Sequence, residues 1–422
     1  MDEVEQRICA AVEASRQGLI DLTAALIRTE SVTGHEGPVQ ALLAERARAI
    51  GLEVDVFEPD LAQLAAHPAF HPVEGLDFAG RPNVVATWRG EGGGRSLLLN
   101  GHTDTIPPGP GAEWAGSPFD GEVRDGKLHG RGASDMKGGV AVMTMAVEVL
   151  RGLGLCLRGD VILEYVVDEE LTGYGTLAAI QRGYRADAGI CLETSDLCVQ
   201  PGCVGRLWFT LTLRGQAVSV TRHWEGVSAI DKAIPFVAAF KALEQQRWRT
   251  LSHKLYPDNR LALPCAVFMF ESGNFPSAVP DKAVLRGSLG LLPHEWVEDV
   301  KRAVRACVAG VAEADPWLRA NPPDVAFKDV GADGAEIPAA HPIVQTVADS
   351  YTRLLGTPPE ISGRIGGADT RYLIKHADTP TVIFGPGLSS EMHATNESVP
   401  VENLVAATKV VACSIVRWCG LA

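Results

Sequence analysis

Two side chains that could bind or orient a metal ion follow the apolar run LLLNG in the segment LLLNGHTDTIP. His102 and Asp104 are two positions apart, and the two-residue period of an extended chain turns both side chains to the same side. A carboxylate close to a ligating histidine fixes its tautomer and raises its basicity. The pair therefore indicates a candidate metal ligand with an orienting partner, although an HTD triplet alone is a weak signal.

Carboxylates follow two further apolar runs. In VILEYVVDEE, Asp168, Glu169 and Glu170 come directly after a strand-like run, and Glu193 follows the run AGICL. The carboxyl ends of strands are where open α/β sheets bind their ligands. Adjacent carboxylates repel one another unless a cation compensates them, so the pattern predicts a bound cation.

Two more residues extend this set. Asp135 lies between a Gly-rich segment and an apolar helix, and His393 lies in the polar segment SSEMHATNES. Taken singly, Asp135 is typical of a helix N-cap and His393 of a surface histidine. The glycines after Asp135 do not have the GxGxxG or GxxxxGK[ST] spacing of phosphate-binding loops. Together, two histidines and three carboxylates suit two divalent ions, which could be zinc, manganese or cobalt.

Five segments then occur in the order NGHTDTIP, GRGASDMKGG, DEELTGYGT, CLETSD and EMHATNE. This series resembles the dinuclear metallohydrolase family of acetylornithine deacetylase, succinyl-diaminopimelate desuccinylase, aminoacylase and carboxypeptidase G. The resemblance covers nearly the whole chain. It implies that His102 and Glu193 hold one metal ion, that Glu170 and His393 hold the other, and that Asp135 bridges the two.

The resemblance also implies roles for two carboxylates that are not ligands. Glu169 looks like the general base that takes a proton from the bridging water, and Asp104 looks like the partner of His102. Two metal ions lower the pKa of bound water and stabilise the charge that develops during attack. The expected reaction is hydrolysis of a C–N bond, above all the amide of an N-acyl amino acid or of a small peptide-like substrate.

The chain departs from the family in the inserted lid. Members often carry there, in an RGxAxH segment, a histidine that reaches a partner subunit's active site, and LRGQAVSV has Ser219 at that position. His223 follows four residues later and either replaces that histidine or lies at the surface. The usual asparagine of NVxP is Ser277, and the arginine that often binds a substrate carboxylate is Gly290.

Two arginines are candidates for binding an anionic substrate group. Arg364 and Arg371 lie in GRIGGADTRYL, where glycines allow a ligand to approach the backbone. A structural role for either arginine is the alternative. We expect a small-molecule substrate that carries a carboxylate, but the altered lid indicates that it differs from an ordinary N-acyl amino acid.

Three functions remain open at this point. The first is the amide hydrolase described above. The second is an aminohydrolase that removes an amine from an aromatic substrate, which the missing lid histidine favours because that residue stabilises an amide's oxyanion. The third is a non-catalytic, metal-dependent binding protein, although no ligand and no general base is missing from the sequence.

The elements that must position these residues fall into two domains. In residues 1–203 and 332–422, strand-like and helical runs alternate, which predicts an α/β catalytic domain with a central, mostly parallel sheet. In residues 204–331 the order βαββαβ predicts an inserted ferredoxin-like lid. One helix is expected over 3–28, and a hairpin is expected to join Asn83–Trp88 to Ser96–Asn100. The lid is also expected to join two chains into a homodimer.

Composition narrows the class of protein further. A net charge of −14 argues against nucleic-acid binding. No run approaches the roughly 20 apolar residues that a membrane span needs. The acidic, amphipathic N-terminus is typical of a first helix rather than an export signal. Nine scattered cysteines without a CxxC pair indicate reduced thiols, so we expect a cytoplasmic protein.

Overall fold

The computed structural model describes residues 2–110 and 113–422. They form two compact units. The first unit comprises Met1–Gly202, Glu336–Arg364 and Ala368–Ala422, and the second comprises Cys203–Ala335 and Ile365–Gly367. The second unit contains the segment predicted to be the lid.

Helices and strands alternate along most of the first unit, as the sequence predicted. The bounds that follow cover the described residues of both units. The helices are α1 (Glu3–Ala14), α2 (Arg16–Arg28), α3 (Gly37–Ala49), α4 (Leu61–Leu64), α5 (Gly138–Gly152), α6 (Tyr174–Gln181), α7 (Ala229–Thr250), α8 (Asn259–Ala262), α9 (Val297–Glu313), α10 (Pro316–Ala320), α11 (Pro342–Leu355), α12 (Thr370–His376) and α13 (Val401–Cys419). The strands are β1 (Glu53–Phe57), β2 (Asn83–Trp88), β3 (Leu97–His102), β4 (Glu122–Arg124), β5 (Lys127–His129), β6 (Val161–Val166), β7 (Ala188–Cys191), β8 (Gly202–Cys203), β9 (Gly205–Arg214), β10 (Cys265–Ser272), β11 (Lys282–Leu291), β12 (Asp324–Lys328), β13 (Ala335–Glu336), β14 (Thr381–Ile383) and β15 (Ser398–Pro400).

The central sheet of the first unit has the strand order β1-β2-β6-β3-β7-β14. β3 runs parallel to both β6 and β7, and β14 runs parallel to β7. β2 runs antiparallel to both of its neighbours, β1 and β6. Every residue of β3, β6 and β7 is buried, because helices cover both faces of a parallel sheet. The predicted α/β class with a mostly parallel sheet is therefore confirmed.

Two details of the predicted local structure are wrong. β2 and β3 do not form a hairpin, because β6 lies between them and pairs with both. The Gly-rich segment at 90–94 therefore connects two strands that are not neighbours. The single helix expected over 3–28 is two helices, because Ser15 has φ −91° and ψ 6° between α1 and α2.

The second unit contains a four-stranded antiparallel sheet with the order β10-β11-β9-β12. This order is the one that a βαββαβ chain adopts in the ferredoxin-like fold. Buried side chains of α7 and α9 share one core with inward-facing residues of the sheet, including Phe236, Val304, Leu211 and Leu285. The predicted lid fold is therefore confirmed.

Two further features concern membrane-spanning helices and the state of the cysteines. Among the described residues, no helix is both long enough and apolar enough to pass through a membrane. All nine cysteines are free thiols. Burial raises the pKa of the Cys265 and Cys419 thiols to about 12, so these two thiols stay neutral and unreactive at neutral pH.

Candidate metal centre

Three adjacent parallel strands bring the first group of predicted ligands to one edge of the sheet. His102 is the last residue of β3, the DEE cluster follows β6, and Glu193 follows β7. Because these strands run in the same direction, their carboxyl ends lie at the same edge. The side chains therefore meet where an open α/β sheet normally binds its ligand.

Asp135 reaches the same place from a tight turn before α5. The turn spans Ala133–Lys137 and has a π-helical hydrogen-bond pattern. The carboxylate of Glu397 accepts hydrogen bonds from the backbone N–H groups of Gly132, Ser134 and Asp135, each 2.9 Å long. Glu397 is itself buried, so this turn is held by a carboxylate from a segment more than 250 residues away.

The two oxygens of Asp135 face different histidines. Oδ1 lies 3.1 Å from His102 Nε2, and Oδ2 lies 3.5 Å from His393 Nε2. Glu193 Oε1 lies 3.5 Å from His102 Nε2, and Glu170 Oε2 lies 3.1 Å from His393 Nε2. The five predicted ligands are thus brought together as two groups that share Asp135.

These separations are those of atoms that can bind one ion. Metal–ligand distances of about 2.0–2.2 Å for zinc with nitrogen and oxygen require ligand atoms of one ion to lie roughly 3–4 Å apart. The pairs His102–Asp135, His102–Glu193 and His393–Glu170 have such separations, at 3.1, 3.5 and 3.1 Å. The donor set of imidazole nitrogens and carboxylate oxygens therefore fits two divalent ions.

The pKa shifts within the cluster are consistent with a cation-binding site. Burial and the neighbouring Asp135 carboxylate raise the pKa of Glu170 to about 7. Burial likewise raises the pKa of Glu169 well above its ordinary value. Burial alone lowers the pKa of His102, but hydrogen bonds with Asp104 and Asp135 outweigh it and raise that pKa well above 6.5. Bound cations stabilise ionised carboxylates and neutral imidazoles, and so reverse these shifts.

Asp104 connects His102 to the DEE cluster. His102 Nδ1 lies 3.0 Å from the backbone carbonyl oxygen of Asp104, which fixes the tautomer that leaves Nε2 for a metal. The Asp104 carboxylate accepts hydrogen bonds from the backbone N–H groups of Glu169 and Glu170, at 3.1 and 3.2 Å. It also accepts one from the Thr33 hydroxyl at 2.8 Å. Asp104 therefore positions the DEE turn as well as the histidine.

The two candidate anion-binding arginines are buried among protein partners. Arg364 Nη2 lies 3.0 Å from Glu193 Oε2. Arg371 donates hydrogen bonds from Nη1 to the carbonyl oxygen of Ala368 and from Nη2 to that of Thr172, both at 3.1 Å. Both arginines therefore have structural contacts within the first unit.

The predicted lid residues belong to the second unit. Ser219 caps a short 3-10 turn over Val220–Glu225 by accepting a hydrogen bond from Thr221 N–H. His223 is exposed and packs edge-on against Trp224, with ring centroids 5.4 Å apart. Both side chains therefore have contacts within the second unit.

Sequence reasoning missed two residues that hold the Asp135 turn. Glu397 lies within the segment EMHATNE, but nothing in its local pattern distinguishes a buried carboxylate from a surface one. Lys137 is fully buried, and its Nζ donates to the carbonyl oxygens of Leu26 and Thr29, both at 2.8 Å, at the end of α2. A charged residue directly before an apolar helical run was the available signal for Lys137.

Similarity to known proteins bears on this site. A profile described as Peptidase family M20/M25/M40 matches residues 98–417. A relative from Halalkalibacterium halodurans, N-formyl-4-amino-5-aminomethyl-2-methylpyrimidine deformylase, is 32% identical over 81% of this chain and 83% of its own length. A protein of the same name from Bacillus subtilis is 29% identical over 100% of this chain and 99% of its own length.

A solved structure supports the fold. A dinuclear metal-binding peptidase of the M20 family from Bacillus subtilis aligns with a TM-score of 0.68 and 15% identity. The alignment covers 96% of this chain and 99% of that chain. At this identity the likeness bears on the fold alone.

Proposed function

The chain belongs to the peptidase family M20/M25/M40 and is a dinuclear metal-dependent hydrolase of C–N bonds, and from this premise we propose that it removes a formyl group from the amine of a nitrogen heterocycle. The observation that carries the proposal is the name that the two curated relatives share, an N-formyl aminopyrimidine deformylase. Deformylation is amide hydrolysis, so the proposal refines the first of the three functions that the sequence left open.

In this proposal the five clustered side chains hold the two metal ions. His102 and Glu193 would hold one ion, Glu170 and His393 would hold the other, and Asp135 would be shared between the two positions. The opposed orientation of the two Asp135 oxygens, towards different histidines, supports the bridging role. When bound, the two ions supply a water molecule of lowered pKa and polarise the amide carbonyl group. Zinc, manganese and cobalt all accept this donor set.

Glu169 is the proposed general base. Its neighbour Glu170 contacts His393, whereas a carboxylate oxygen of Glu169 lies within 4.8 Å of ligand atoms of His102 and Glu193. A carboxylate at that distance can take the proton of the attacking water and deliver it to the leaving amine. Asp104 keeps Glu169 in place through the hydrogen bond from its backbone N–H group.

The altered lid supports a substrate without an amino-acid carboxylate. The positions at which relatives often carry the substrate-binding arginine and the asparagine are Gly290 and Ser277. Arg364 and Arg371, the remaining candidates, already contact protein groups. A neutral heterocyclic amine needs no such partner, so we now favour it over the carboxylate-bearing substrate expected from the sequence.

We further propose that two chains associate through the second unit. β10 is an edge strand of its sheet, and its side chains Phe268, Met269 and Phe270 are exposed by 63%, 51% and 41%. An exposed apolar edge strand is a template for pairing with another chain. The opposite edge strand, β12, begins at Asp324 and ends at Lys328, and the exposed charges of these two residues oppose such pairing.

The test of the proposed reaction is a product assay on metal-loaded protein. The substrates are an N-formyl aminomethylpyrimidine, its N-acetyl analogue, an N-formyl amino acid and the free aromatic amine. We expect equal amounts of formate and amine from the first substrate, with a kcat/KM at least about 100-fold above that of the N-formyl amino acid, a difference of roughly 3 kcal/mol in transition-state stabilisation.

Two results would contradict this assignment. Release of ammonia from the free aromatic amine would favour the aminohydrolase. Preference for the N-formyl amino acid would restore a substrate that carries a carboxylate. The Glu169→Gln protein serves as the control for metal-dependent background hydrolysis, because it lacks the proposed base.

A further inference from the structure

Arg364 lies inside the first unit with its guanidinium group buried against a proposed metal ligand. Its side chain is 8% exposed, and Nη2 lies 3.0 Å from Glu193 Oε2. Nη1 donates to the carbonyl oxygen of Thr194 at 2.5 Å and lies 2.6 Å from the Thr194 hydroxyl oxygen. The backbone N–H of Arg364 donates to the carbonyl oxygen of Gly202 at 2.8 Å. The arginine is therefore anchored at both its backbone and its head group.

Because of these contacts, the two carboxylate oxygens of Glu193 have different partners. Oε2 accepts a hydrogen bond from the Thr194 backbone N–H at 3.0 Å and also faces the Arg364 guanidinium. Oε1 is the oxygen that lies 3.5 Å from His102 Nε2. Because Oε2 is occupied by two donors, Glu193 presents a single oxygen to the ion that His102 binds.

An arginine suits this position better than a lysine would. The planar guanidinium group carries several donors at fixed angles, so one head group can contact a carboxylate and a neighbouring carbonyl together. The same Nη2 also lies 3.7 Å from the sulfur atom of Met392, the residue before His393. The guanidinium therefore lies between a ligand of one metal position and the loop that carries a ligand of the other.

We propose that Arg364 is a positioning residue, which holds Glu193 as a one-oxygen ligand and thereby sets the affinity of the His102–Glu193 metal position. The inference rests on the ligand assignment of the proposed function. It differs from the anion-binding role considered from the sequence, because the guanidinium acts on the enzyme's own carboxylate rather than on the substrate.

The experiment measures metal affinity and needs no substrate. The metal-free protein is titrated with zinc against a chromophoric chelator, which yields one binding constant for each position. Glu193→Gln identifies the constant that belongs to the His102–Glu193 position. Arg364→Met should weaken that same constant by about 10–100-fold, the usual effect of losing a partner that orients a ligand. The other constant should stay unchanged.

Combined variants separate positioning from general destabilisation. If Arg364 acts through Glu193, then Arg364→Met should cause no further loss of affinity in the Glu193→Gln protein, because coupled residues are not additive. Arg364→Lys keeps the positive charge but lacks the planar guanidinium group with its several donors. It should therefore lose less metal affinity than Arg364→Met. It also provides a second variant if Arg364→Met does not fold.

The matched control is Arg247→Met in the second unit. Arg247 is a buried arginine that pairs with Glu295 at 2.9 Å, so its loss should lower the melting temperature and leave both metal constants unchanged. Equal weakening of both positions by Arg364→Met, no weakening, or full additivity with Glu193→Gln would overturn the proposal. So would a wild-type protein that binds no zinc. A failure of the deformylase assay alone would leave these measurements standing.

Discussion

At the scale of single residues, the three neighbouring carboxylates of the DEE cluster, Asp168, Glu169 and Glu170, have different surroundings. Asp168 turns away from the ligand groups, and its Oδ1 lies 2.6 Å from an Arg81 nitrogen atom. Glu170 contacts His393, while Glu169 lies near His102. In the proposed mechanism Asp168 is a structural anchor, Glu170 is a ligand and Glu169 is the base, and a tight turn that points consecutive side chains in different directions supports this division.

The first prediction separates the roles of Glu169 and Glu170. Glu169→Gln keeps the size of the side chain but removes the basic carboxylate, so kcat should fall about a thousandfold while metal content stays near two per chain. Glu170→Gln weakens a ligand, so it should lose metal as well as rate, and excess metal should restore part of its activity. Metal content by atomic emission and steady-state kinetics measure both effects.

Two other outcomes for the Glu169 and Glu170 variants would contradict this assignment. Low metal content in the Glu169 variant with normal content in the Glu170 variant would exchange the two roles. Full activity of the Glu169 variant would remove general-base catalysis by this residue from the mechanism.

At the scale of elements, strand register places a polar network inside the central sheet. Asn100 of β3 pairs in register with Glu164 of β6, and its Nδ2 donates to Glu164 Oε2 at 3.1 Å. The Thr176 hydroxyl of α6 donates to Asp369 Oδ2 at 2.6 Å. Burial raises the pKa of Glu164 to about 8, so the network contains a carboxyl group that is mostly protonated at neutral pH.

The second prediction follows from this raised pKa. The unfolded chain ionises Glu164 near its ordinary pKa of 4.5, whereas the folded protein keeps the proton until about pH 8. The wild-type protein should therefore lose stability as pH rises between these values. Glu164→Gln, which resembles the neutral acid, should be more stable than wild type by roughly 2–4 kcal/mol at pH 8 and show little difference below pH 4.5.

Denaturant unfolding from pH 4.5 to pH 8 measures the difference between the two proteins. The exposed Glu74 provides the matched control, and the effect of Glu164→Gln at each pH is compared with that of Glu74→Gln. A constant difference between wild type and Glu164→Gln across this range would show that Glu164 is ionised in the folded protein.

At the scale of the whole molecule, the third prediction is that the metal ions support both activity and stability. The cluster joins the ends of β3, β6 and β7 to the Asp135 turn and the His393 loop. Chelation should abolish activity and lower the melting temperature, because unpaired carboxylates then repel one another. Added zinc, manganese or cobalt should restore both. Full activity in metal-stripped protein would rule out the proposed mechanism.

The fourth prediction concerns assembly. Phe268→Asp places a charge on the exposed edge strand β10 and should shift the protein from dimer to monomer. Light scattering at micromolar protein concentration measures the mass, and Asp324→Lys on the opposite edge strand is the control that should leave it unchanged. A wild-type protein that is monomeric under these conditions would contradict the proposed association.

The sequence by itself determined the class of the molecule and the residues that meet. Apolar runs that end in carboxylates or histidine predicted strands that deliver ligands to one edge, and the structure brings His102, Glu170 and Glu193 together there. The βαββαβ order predicted the ferredoxin-like unit, and the resemblance to the metallohydrolase family is confirmed. The strand and lid predictions rest on local periodicity and residue type, which are properties of short segments, whereas the resemblance rests on five motifs in a fixed order.

Only the tertiary structure decided which distant segments become neighbours. β6 lies between β2 and β3, Glu397 holds the Asp135 turn, and Arg364 faces Glu193. Each of these contacts joins segments far apart in the chain, and its energy depends on burial and on the partner's position rather than on local pattern. The sequence pattern around a buried structural arginine does not differ from that around a substrate-binding arginine. Only packing determines which carboxylate the guanidinium group contacts.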